Sequence, residues 1–457
     1  MLENKQVKQI KEELVRSGNN FLGILNDIKR QPENAADELG VSINQINSII
    51  RGEESISFEL IQKAVEIWPV SERDFFVVKD DSPNGVFIMK KVESEKSSRI
   101  MKRAGNPYYE YRDTAMTKTA PFRPEWILEL CEVEDNDPEN TKIQWNNGHF
   151  LHQFTYFIGD VNFYYKAQNG EKKVAIMSTG DSMYITPFVP HTFATRKNSQ
   201  GKGLILALTY GGKLTGDTQQ ELSTLVNLGS KFALDFSTKG KMMGSTLKYF
   251  REITSLTLEE LSNRTHISLE KIKKFEFGDE LPNHEELQNI ANTLGINLRD
   301  ILPNDEIEEK VIVKYRNERK KWFFPIGKNS YEFIELAQSK TLPFSKSFEM
   351  IIKNDEKNNL DLEIGLHQYI YNIGEKSIEI NWRLHGNDFH ESIDPGDSAC
   401  IKPFIQHNFC GEGKLLVLRI GGKISGDPQR ELSIVGRENT ERAINETMQW
   451  FDSKGKN

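Results

Sequence analysis

An internal repeat constrains the fold of this chain more than any other feature of its sequence. The motif Gly211–Asp217 (GGKLTGD) recurs as Gly421–Asp427 (GGKISGD), and Glu221–Ser223 recurs as Glu431–Ser433. Further matches at a spacing of roughly 210 to 225 residues are typical of duplicated units. They pair His152–Phe154 with His367–Tyr369 and Pro187–His191 with Pro403–His407. The 457 residues therefore predict two copies of one structural plan, which agrees with the two or more domains expected of this length.

Each copy opens with a helical pattern. In the first copy, Ser42 stands in an N-cap position before Ile43–Ile50, whose isoleucines recur at helical spacing. In the second copy, Leu258–Leu261 is followed by Ser268 and the apolar positions of Leu269–Phe275. A short helix, a tight turn and a second capped helix are typical of the helix-turn-helix of repressor-like domains.

The charge of these helical segments argues against binding to DNA. Residues 1–80 contain 10 Lys and Arg against 14 Asp and Glu, and Ser42–Arg51 has a single basic residue. A DNA-docking face needs Lys and Arg to neutralise phosphates. In the second copy three lysines are balanced by three acids, namely Lys271, Lys273 and Lys274 by Glu270, Glu276 and Asp279. We therefore expect modules for packing and oligomerisation, without a nucleic-acid partner.

After each helical module the chain becomes rich in strand patterns. Gln153–Ile158 and Val161–Tyr165 read as strands, and Gly159–Asp160 between them supplies a hairpin turn. Hairpin-length strands at short intervals, with histidines on them, predict a small β-barrel of the cupin kind. The predicted class is α+β, a tandem repeat of a repressor-like helix-turn-helix module followed by a cupin barrel. The predicted segments are a helical module over 1–84, a barrel over 85–225, a second helical module over 226–308, a second barrel over 309–435 and a C-terminal helical tail over 436–457.

The composition is that of a globular protein of a reducing compartment. Hydrophobic residues make up 37% and charged residues 28%, and no apolar run approaches the length of a membrane span. The segment from Met1 to Lys5 has no apolar core, so it does not read as a signal peptide. Three cysteines without CxxC spacing favour free thiols. We expect a cytoplasmic protein with no membrane contact.

The stretch from Asn146 to His191 carries the candidate chemistry. It brings His149, His152 and Gln153 together and returns to His191 about forty residues later. Two imidazoles on separate strands with one further polar side chain suit a divalent iron, which keeps its other coordination positions open for substrate and O2. On a strand, His152 points to the face opposite Gln153, so we expect it to lie outside the ligand set.

A second run of residues carries a resemblance to a known family. Ala104–Tyr111 (AGNPYYEY), the pattern Asn146-x-Gly148-His149-x3-Gln153 and the motif Pro190–Phe193 together resemble the non-haem iron enzymes of phosphonate metabolism, the hydroxyethylphosphonate dioxygenase and hydroxypropylphosphonate epoxidase family. The resemblance covers the whole chain, because the dioxygenase branch is also a tandem repeat. It implies Fe(II) as the cofactor, held by His149, Gln153 and His191, and a homo-oligomer.

The third ligand departs from most of that family. The epoxidase takes a Glu four residues after the first His, and the dioxygenase takes a Glu six residues before the second. Gln153 and Ile185 stand at these positions here. The resemblance therefore implies an amide ligand, as in the members that form methylphosphonate. A neutral ligand leaves the metal one positive charge richer, which an anionic phosphonate can offset.

The resemblance also assigns substrate-binding residues. Arg103, Tyr111 and Asn146 match the phosphonate-binding Arg, Tyr and Asn of the family, and a guanidinium fork suits a phosphonate dianion. Lys29 matches a lysine that reaches the iron pocket from the helical module, in its own chain or in a neighbour. For the adjacent Tyr108 and Tyr109, the sequence does not decide between lining the pocket and packing in the core.

The second copy has lost these groups. By alignment of the two copies, His149 corresponds to Ile364, Tyr111 to Phe333, Arg103 to Pro325 and Lys29 to Ser255, whereas His367, Gln368 and His407 remain. We therefore expect a silent second barrel and one iron per chain.

The implied reaction is the Fe(II)- and O2-dependent cleavage of the C–C bond of 2-hydroxyethylphosphonate to methylphosphonate and a one-carbon product at the level of bicarbonate or CO2. Ile185 is a candidate determinant of this outcome, because it replaces the dioxygenase carboxylate, and Lys29 is the second candidate catalytic residue. The alternative within the family is the dioxygenase outcome, hydroxymethylphosphonate and formate. The alternative from another class is a cupin-type transcriptional regulator with a helix-turn-helix.

Overall fold

Each half of the chain begins with a small helical bundle. The computed structural model describes residues 2–303, 308–325 and 327–444. The helices of the first half are α1 (Leu2–Asp27), α2 (Pro32–Leu39), α3 (Ile43–Ile50), α4 (Phe58–Ile67) and α5 (Lys91–Lys96). Ser42 caps α3, because its Oγ accepts a hydrogen bond from the Gln45 backbone N–H at 3.2 Å. Helices α1 to α4 enclose a core that includes the fully buried Leu25, Ile46 and Ala64.

The first half continues in strands. These are β1 (Val86–Met89), β2 (Arg99–Arg103), β3 (Asn106–Asp113), β4 (Phe122–Glu129), β5 (Glu132–Val133), β6 (His152–Ile158), β7 (Val161–Lys166), β8 (Lys172–Met177), β9 (Ser182–Ile185), β10 (His191–Arg196) and β11 (Leu204–Tyr210). The two strands expected from the alternating pattern are observed as β6 and β7, joined at Gly159–Asp160. Gly159 has a φ of 82°, a left-handed conformation that glycine adopts readily.

The second half repeats this order. The first half ends with α6 (Asp217–Leu225), and the helices of the second half are α7 (Lys239–Ile253), α8 (Leu258–Thr265), α9 (Leu269–Phe277), α10 (His284–Leu294), α11 (Asp427–Val435) and α12 (Arg437–Ile444). Its strands are β12 (Val311–Lys314), β13 (Lys321–Phe324), β14 (Tyr331–Glu335), β15 (Ser345–Asn354), β16 (His367–Asn372), β17 (Ile378–Leu384), β18 (Asn387–Ile393), β19 (Ser398–Ile401) and β20 (Gln406–Ile420). The predicted mixed α+β class, with helices before a β-rich part, is confirmed. The C-terminal helical tail expected over 436–457 lies outside the described residues from 445 onward.

The two halves exchange a strand reciprocally. Strand β1 of the first half pairs with β19, with Val86 opposite Ile401, and β12 of the second half pairs with β9, with Val311 opposite Ile185. We define the first β unit as β2–β11 with β12, and the second β unit as β13–β20 with β1. Neither unit is therefore built from one half alone.

The first β unit consists of two facing sheets, whose strand orders are β12-β9-β6-β11-β4-β3-β2 and β5-β10-β7-β8. Side chains from both sheets, among them Phe157, Phe163 and Ile205, fill the space between them. Residues of opposite parity on β6 and β11, such as Phe154 and Leu206, point outward and pack on the second β unit. This alternation places Gln153 inside the first β unit and His152 at the contact between the units.

The two copies of the glycine motif, Gly211–Asp217 and Gly421–Asp427, form reciprocal hydrogen bonds that join the two β units. Lys213 Nζ donates to the carbonyls of Gly422 at 3.1 Å and Lys423 at 2.7 Å. Lys423 Nζ donates in return to the Gly212 carbonyl at 2.9 Å and to Thr215. The matched motifs therefore have a structural role. In the described part of the chain, no helix has the length and apolar character needed to cross a membrane.

Candidate metal centre

The loop before β6 presents His149 beside Gln153. His149 Nε2 and Gln153 Oε1 lie 2.8 Å apart, and the His149 carbonyl accepts a hydrogen bond from the Phe188 N–H at 2.8 Å. Gly148, with a φ of 77°, allows this close approach, because a Cβ there would meet the Phe188 backbone at 2.5 Å. The Gly148-His149 pair thus fixes the loop against the segment that leads to His191.

Both imidazoles are held in one tautomer by backbone carbonyls. His149 Nδ1 donates to the Leu151 carbonyl at 2.8 Å, and His191 Nδ1 donates to the Val189 carbonyl at 2.8 Å. The ring centroids lie 5.2 Å apart. Burial lowers the pKa of His191 to about 3, so this ring is neutral at physiological pH. The Nε2 of His191 therefore presents a lone pair, the form in which imidazole binds a metal.

Gln153 supplies the third group. It is 4% exposed, and its Nε2 donates to Thr155 Oγ1 at 2.8 Å, which turns Oε1 toward His149. In the metal-binding form of His149, with its proton on Nδ1, Nε2 and Gln153 Oε1 are both acceptors 2.8 Å apart, so a cation beside them could take both as ligands. Within the described ranges, no group of three or more His, Cys, Asp and Glu side chains is arranged to hold a metal. A site here depends on the amide.

Ile185 lies directly across from Gln153 in the pairing of β9 with β6. Its side chain is fully buried. On an antiparallel pair, opposite residues share a face with their Cβ atoms about 4.5–5.5 Å apart, so an apolar side chain borders the amide. The position that carries a carboxylate in the dioxygenase is thus adjacent to Gln153 and has no polar group.

Asn146 connects the two histidine segments. Its Oδ1 accepts hydrogen bonds from the backbone N–H of His191 at 2.8 Å and of Gly148 at 2.9 Å. Its Nδ2 lies 3.3 Å from His191 Nε2. The amide nitrogen of Asn146 therefore lies close to the place where a metal ion bound to His191 Nε2 would lie. From there it can donate a hydrogen bond to an anion bound to that ion.

Arg103 lies beside this group in a cradle of aromatic rings. Its guanidinium stacks over Tyr108 and Tyr109, with distances of 5.0 and 4.8 Å to the ring centroids. Nη1 donates to the Gln144 carbonyl at 2.6 Å and to Thr192 Oγ1 at 3.2 Å. Its charge contributes to lowering the pKa of His191 and opposes the rise in the pKa of Tyr111, because the guanidinium lies near both side chains.

Thr192 was not predicted as a site residue, but it organises this cradle. Its Oγ1 lies 3.0 Å from Tyr108 Oη and 2.9 Å from Tyr109 Oη. Tyr108 and Tyr109, which the sequence left open between pocket and core, are both buried and both line the cradle. The position next to His191 was the only sequence signal for Thr192.

Tyr111 and Glu129 complete the polar wall. Burial raises the pKa of Tyr111 above its ordinary value, so its phenol keeps its proton and can donate a hydrogen bond. Glu129 is fully buried, and neither carboxyl oxygen has a hydrogen-bond partner among the described residues. Burial raises the pKa of Glu129 well above its ordinary value. A neutral Glu129 leaves the charge of Arg103 uncancelled.

The remaining histidine and the lysine of the prediction lie elsewhere. His152 Nδ1 lies 2.7 Å from Tyr184 Oη, and its ring stacks between Tyr184 and Tyr210 at the contact with the second β unit. Lys29 is exposed, and its Nζ donates to the carbonyls of Asn26 at 3.2 Å and Asp27 at 2.9 Å at the end of α1. The structure thus groups Arg103, Asn146, His149, Gln153 and His191, whereas Lys29 contacts its own helix.

Two imidazoles and an amide beside a half-buried guanidinium are the features of a non-haem iron enzyme that takes an anionic substrate. Methylphosphonate synthase of Nitrosopumilus maritimus strain SCM1 is 62% identical to this chain over 445 residues, 97% of each. The structure of the Streptomyces albus 2-hydroxyethylphosphonate dioxygenase with its substrate and Fe(II) bound is 34% identical and superposes with a TM-score of 0.89, covering 96% of this chain and 99% of that one. A variant 2-hydroxyethylphosphonate dioxygenase, 17% identical, has the same fold with a TM-score of 0.72 over 93% of this chain and 100% of its own.

No family model matches the chain. The whole-length identity is nevertheless far above what a shared fold requires. The chain belongs to the methylphosphonate synthase family of non-haem iron enzymes.

Proposed function

We propose that this chain cleaves the C–C bond of 2-hydroxyethylphosphonate with O2 and Fe(II), releasing methylphosphonate and carbonic acid, which enters solution as bicarbonate or CO2. The overall reaction balances without another reductant, because all four electrons that reduce O2 come from the substrate. The two products together contain all the atoms of the substrate and of O2. The observation that carries the proposal is Gln153, an amide that faces His149 where the epoxidase has a carboxylate, while the dioxygenase carboxylate position is held by the apolar Ile185.

The donor set suits a ferrous ion. His149 Nε2, Gln153 Oε1 and His191 Nε2 would hold it, since each exposes a lone pair and each is fixed by a second hydrogen bond. When bound, the ion would supply the coordination of substrate oxygens and the activation of O2. All three ligands are neutral, so the doubly charged phosphonate provides the compensating negative charge.

The surrounding residues bind and orient the phosphonate. Arg103 offers a planar guanidinium that the Tyr108 and Tyr109 rings hold in place, and charge-assisted bonds of this kind are the stronger hydrogen bonds in proteins. Tyr111 and Asn146 donate from two further directions. Ile185 places a buried apolar side chain beside Gln153, at the position of the dioxygenase carboxylate, and this loss of a charged group next to the metal is proposed to contribute to the methylphosphonate outcome.

Lys29 adds positive charge to the pocket in this proposal. Its position on the exposed end of α1 supports the view that it serves the pocket of a second copy in a homo-oligomer. The helical segments 1–84 and 226–308 are proposed as helix-turn-helix modules for packing, and segments 85–225 and 309–435 as cupin barrels that exchange β1 and β12. Three free cysteines support a cytoplasmic location.

A second outcome is supported by the likeness to the Streptomyces albus dioxygenase, namely hydroxymethylphosphonate with formate. The two outcomes are separated by loading the protein anaerobically with Fe(II), adding substrate and O2, and recording phosphorus NMR of the products. A methylphosphonate signal is expected. A hydroxymethylphosphonate signal in its place would contradict the proposal, and metal-free protein with the same turnover would exclude the whole class.

A further inference from the structure

The second β unit retains the backbone frame that presents the metal ligands in the first. Phe404 N–H donates to the Ile364 carbonyl at 2.8 Å, as Phe188 N–H does to the His149 carbonyl. His407 Nδ1 donates to the Ile405 carbonyl at 2.7 Å, which matches the bond of His191 to Val189. Phe404 and Phe188 even share a left-handed φ of 62° and 61°. The positions of the three proposed ligands of the first β unit are therefore occupied in the second by Ile364, Gln368 and His407.

One side chain differs beside the conserved glutamine. Gln153 is paired across the sheet with Thr209, and Gln368 is paired in the same way with Arg419. Arg419 Nε donates to Gln368 Oε1 at 3.0 Å, and Gln368 Nε2 lies 3.2 Å from His407 Nε2. The guanidinium thus bonds to the oxygen that corresponds to the proposed ligand oxygen of Gln153.

The surroundings hold this guanidinium in place. Arg419 lies over the Phe333 and Phe348 rings, 5.5 and 5.3 Å from their centroids. Burial lowers its pKa to about 10, so it is charged at neutral pH. Its Nη2 is buried without a hydrogen-bond partner among the described residues. Arg419 and Ile364 both line a cavity of about 260 Å³, whose wall also includes the carboxylates Asp361 and Glu363.

We propose that Arg419 is a resident cation that has taken the place of the metal, and that the second β unit is a latent divalent-metal site closed by Arg419 together with Ile364. A guanidinium satisfies the amide oxygen with one positive charge and no open coordination position. A divalent ion at the same oxygen would be repelled by it at short range in a poorly solvated site. Restoring the missing imidazole alone therefore leaves the site closed, whereas removing the guanidinium as well opens it.

The test compares Ile364→His, Arg419→Thr and the double variant in the full chain, each loaded anaerobically with Fe(II) or Co(II) and freed of loose metal. Threonine is the residue that the first β unit has at this position, so the change is matched. We expect the double variant to gain one metal ion per chain over the parent, with a second set of Co(II) d–d absorption bands, and each single variant to gain none. Circular dichroism and thermal unfolding identify variants that fail to fold.

The same three changes in a His149→Ala background keep this inference distinguishable from the proposed function. If the first β unit binds no metal, the parent contains no metal ion, and the double variant should still rise from zero to one metal ion per chain. A full gain with Ile364→His alone would show that Arg419 is no barrier. No gain in a folded double variant, in either background, would overturn the inference.

Discussion

Replacing Arg103 by Lys tests how the pocket binds its anion. The substitution keeps the positive charge but removes the planar fork, the stacking on Tyr108 and Tyr109, and the bonds to the Gln144 carbonyl and Thr192. Lysine is a point donor that cannot form a bidentate contact with a phosphonate. At least one charge-assisted hydrogen bond is therefore lost.

The expected magnitude follows from that loss. A hydrogen bond to a charged group contributes about 1.5–3 kcal/mol, which corresponds to a decrease of about 10- to 150-fold in kcat/KM. Most of the change should appear in KM, because the phosphonate is bound before and during the reaction. The assay is the rate of product formation by phosphorus NMR over a range of substrate concentrations, with iron content measured in parallel.

Arg99→Lys is the matched control. Arg99 also lies over a tyrosine, 5.7 Å from the Tyr111 ring centroid, but its side chain is 50% exposed and paired with Asp113. Exposed pairs contribute little, so its kcat/KM should change by less than about twofold. A normal KM for Arg103→Lys, or equal losses in both variants, would refute the assignment of Arg103 to the phosphonate.

Three further predictions concern the metal ligand, the exchanged strand and pH. Gln153→Glu should retain iron but shift product partition away from methylphosphonate, because it adds a negative charge beside Ile185; an unchanged phosphorus NMR profile would show that the amide is immaterial. A chain ending at residue 303 lacks β12 and the second β unit that covers β6 and β11, so it should lose iron retention together with protection of the β9 edge in hydrogen exchange; full retention would show that the first β unit holds iron without either of them. Burial holds the pKa of His407 at about 4 in the folded protein against 6.5 when unfolded, so the unfolded chain binds more protons and stability falls as pH drops from 6.5 to 4, by roughly 3 kcal/mol. Burial also lowers the pKa of His152, His191 and His367, so His407→Gln should make the fall in urea-unfolding stability over this pH range less steep without abolishing it, and an unaltered slope would contradict the prediction.

Local patterns in the sequence predicted local structure well. The strands around Gln153 and Val161 and the cap at Ser42 depend on nearest neighbours, and each is observed where its residues indicated. The grouping of His149, Gln153 and His191 came from a family resemblance, and the structure brings these side chains to one place. The opposite direction of His152 followed from the period of a strand.

Pairing between distant segments was beyond such patterns. Nothing in Val86–Met89 specifies that its partner is β19 of the other half, because alternation defines a face and not a neighbour. For the same reason the contact of Thr192 with Tyr108 and Tyr109 was missed. The proposed role of Arg419 could likewise not be predicted, because it depends on the pairing of β20 with β16, which places Arg419 beside Gln368.

The most direct test of the account is an anaerobic crystal structure of the full chain with Fe(II) and 2-hydroxyethylphosphonate. We predict one iron per chain, bound directly by His149 Nε2, Gln153 Oε1 and His191 Nε2, with the phosphonate hydrogen-bonded to Arg103. Iron bound through other side chains, or a Gln153 turned away from it in every copy, would contradict the account.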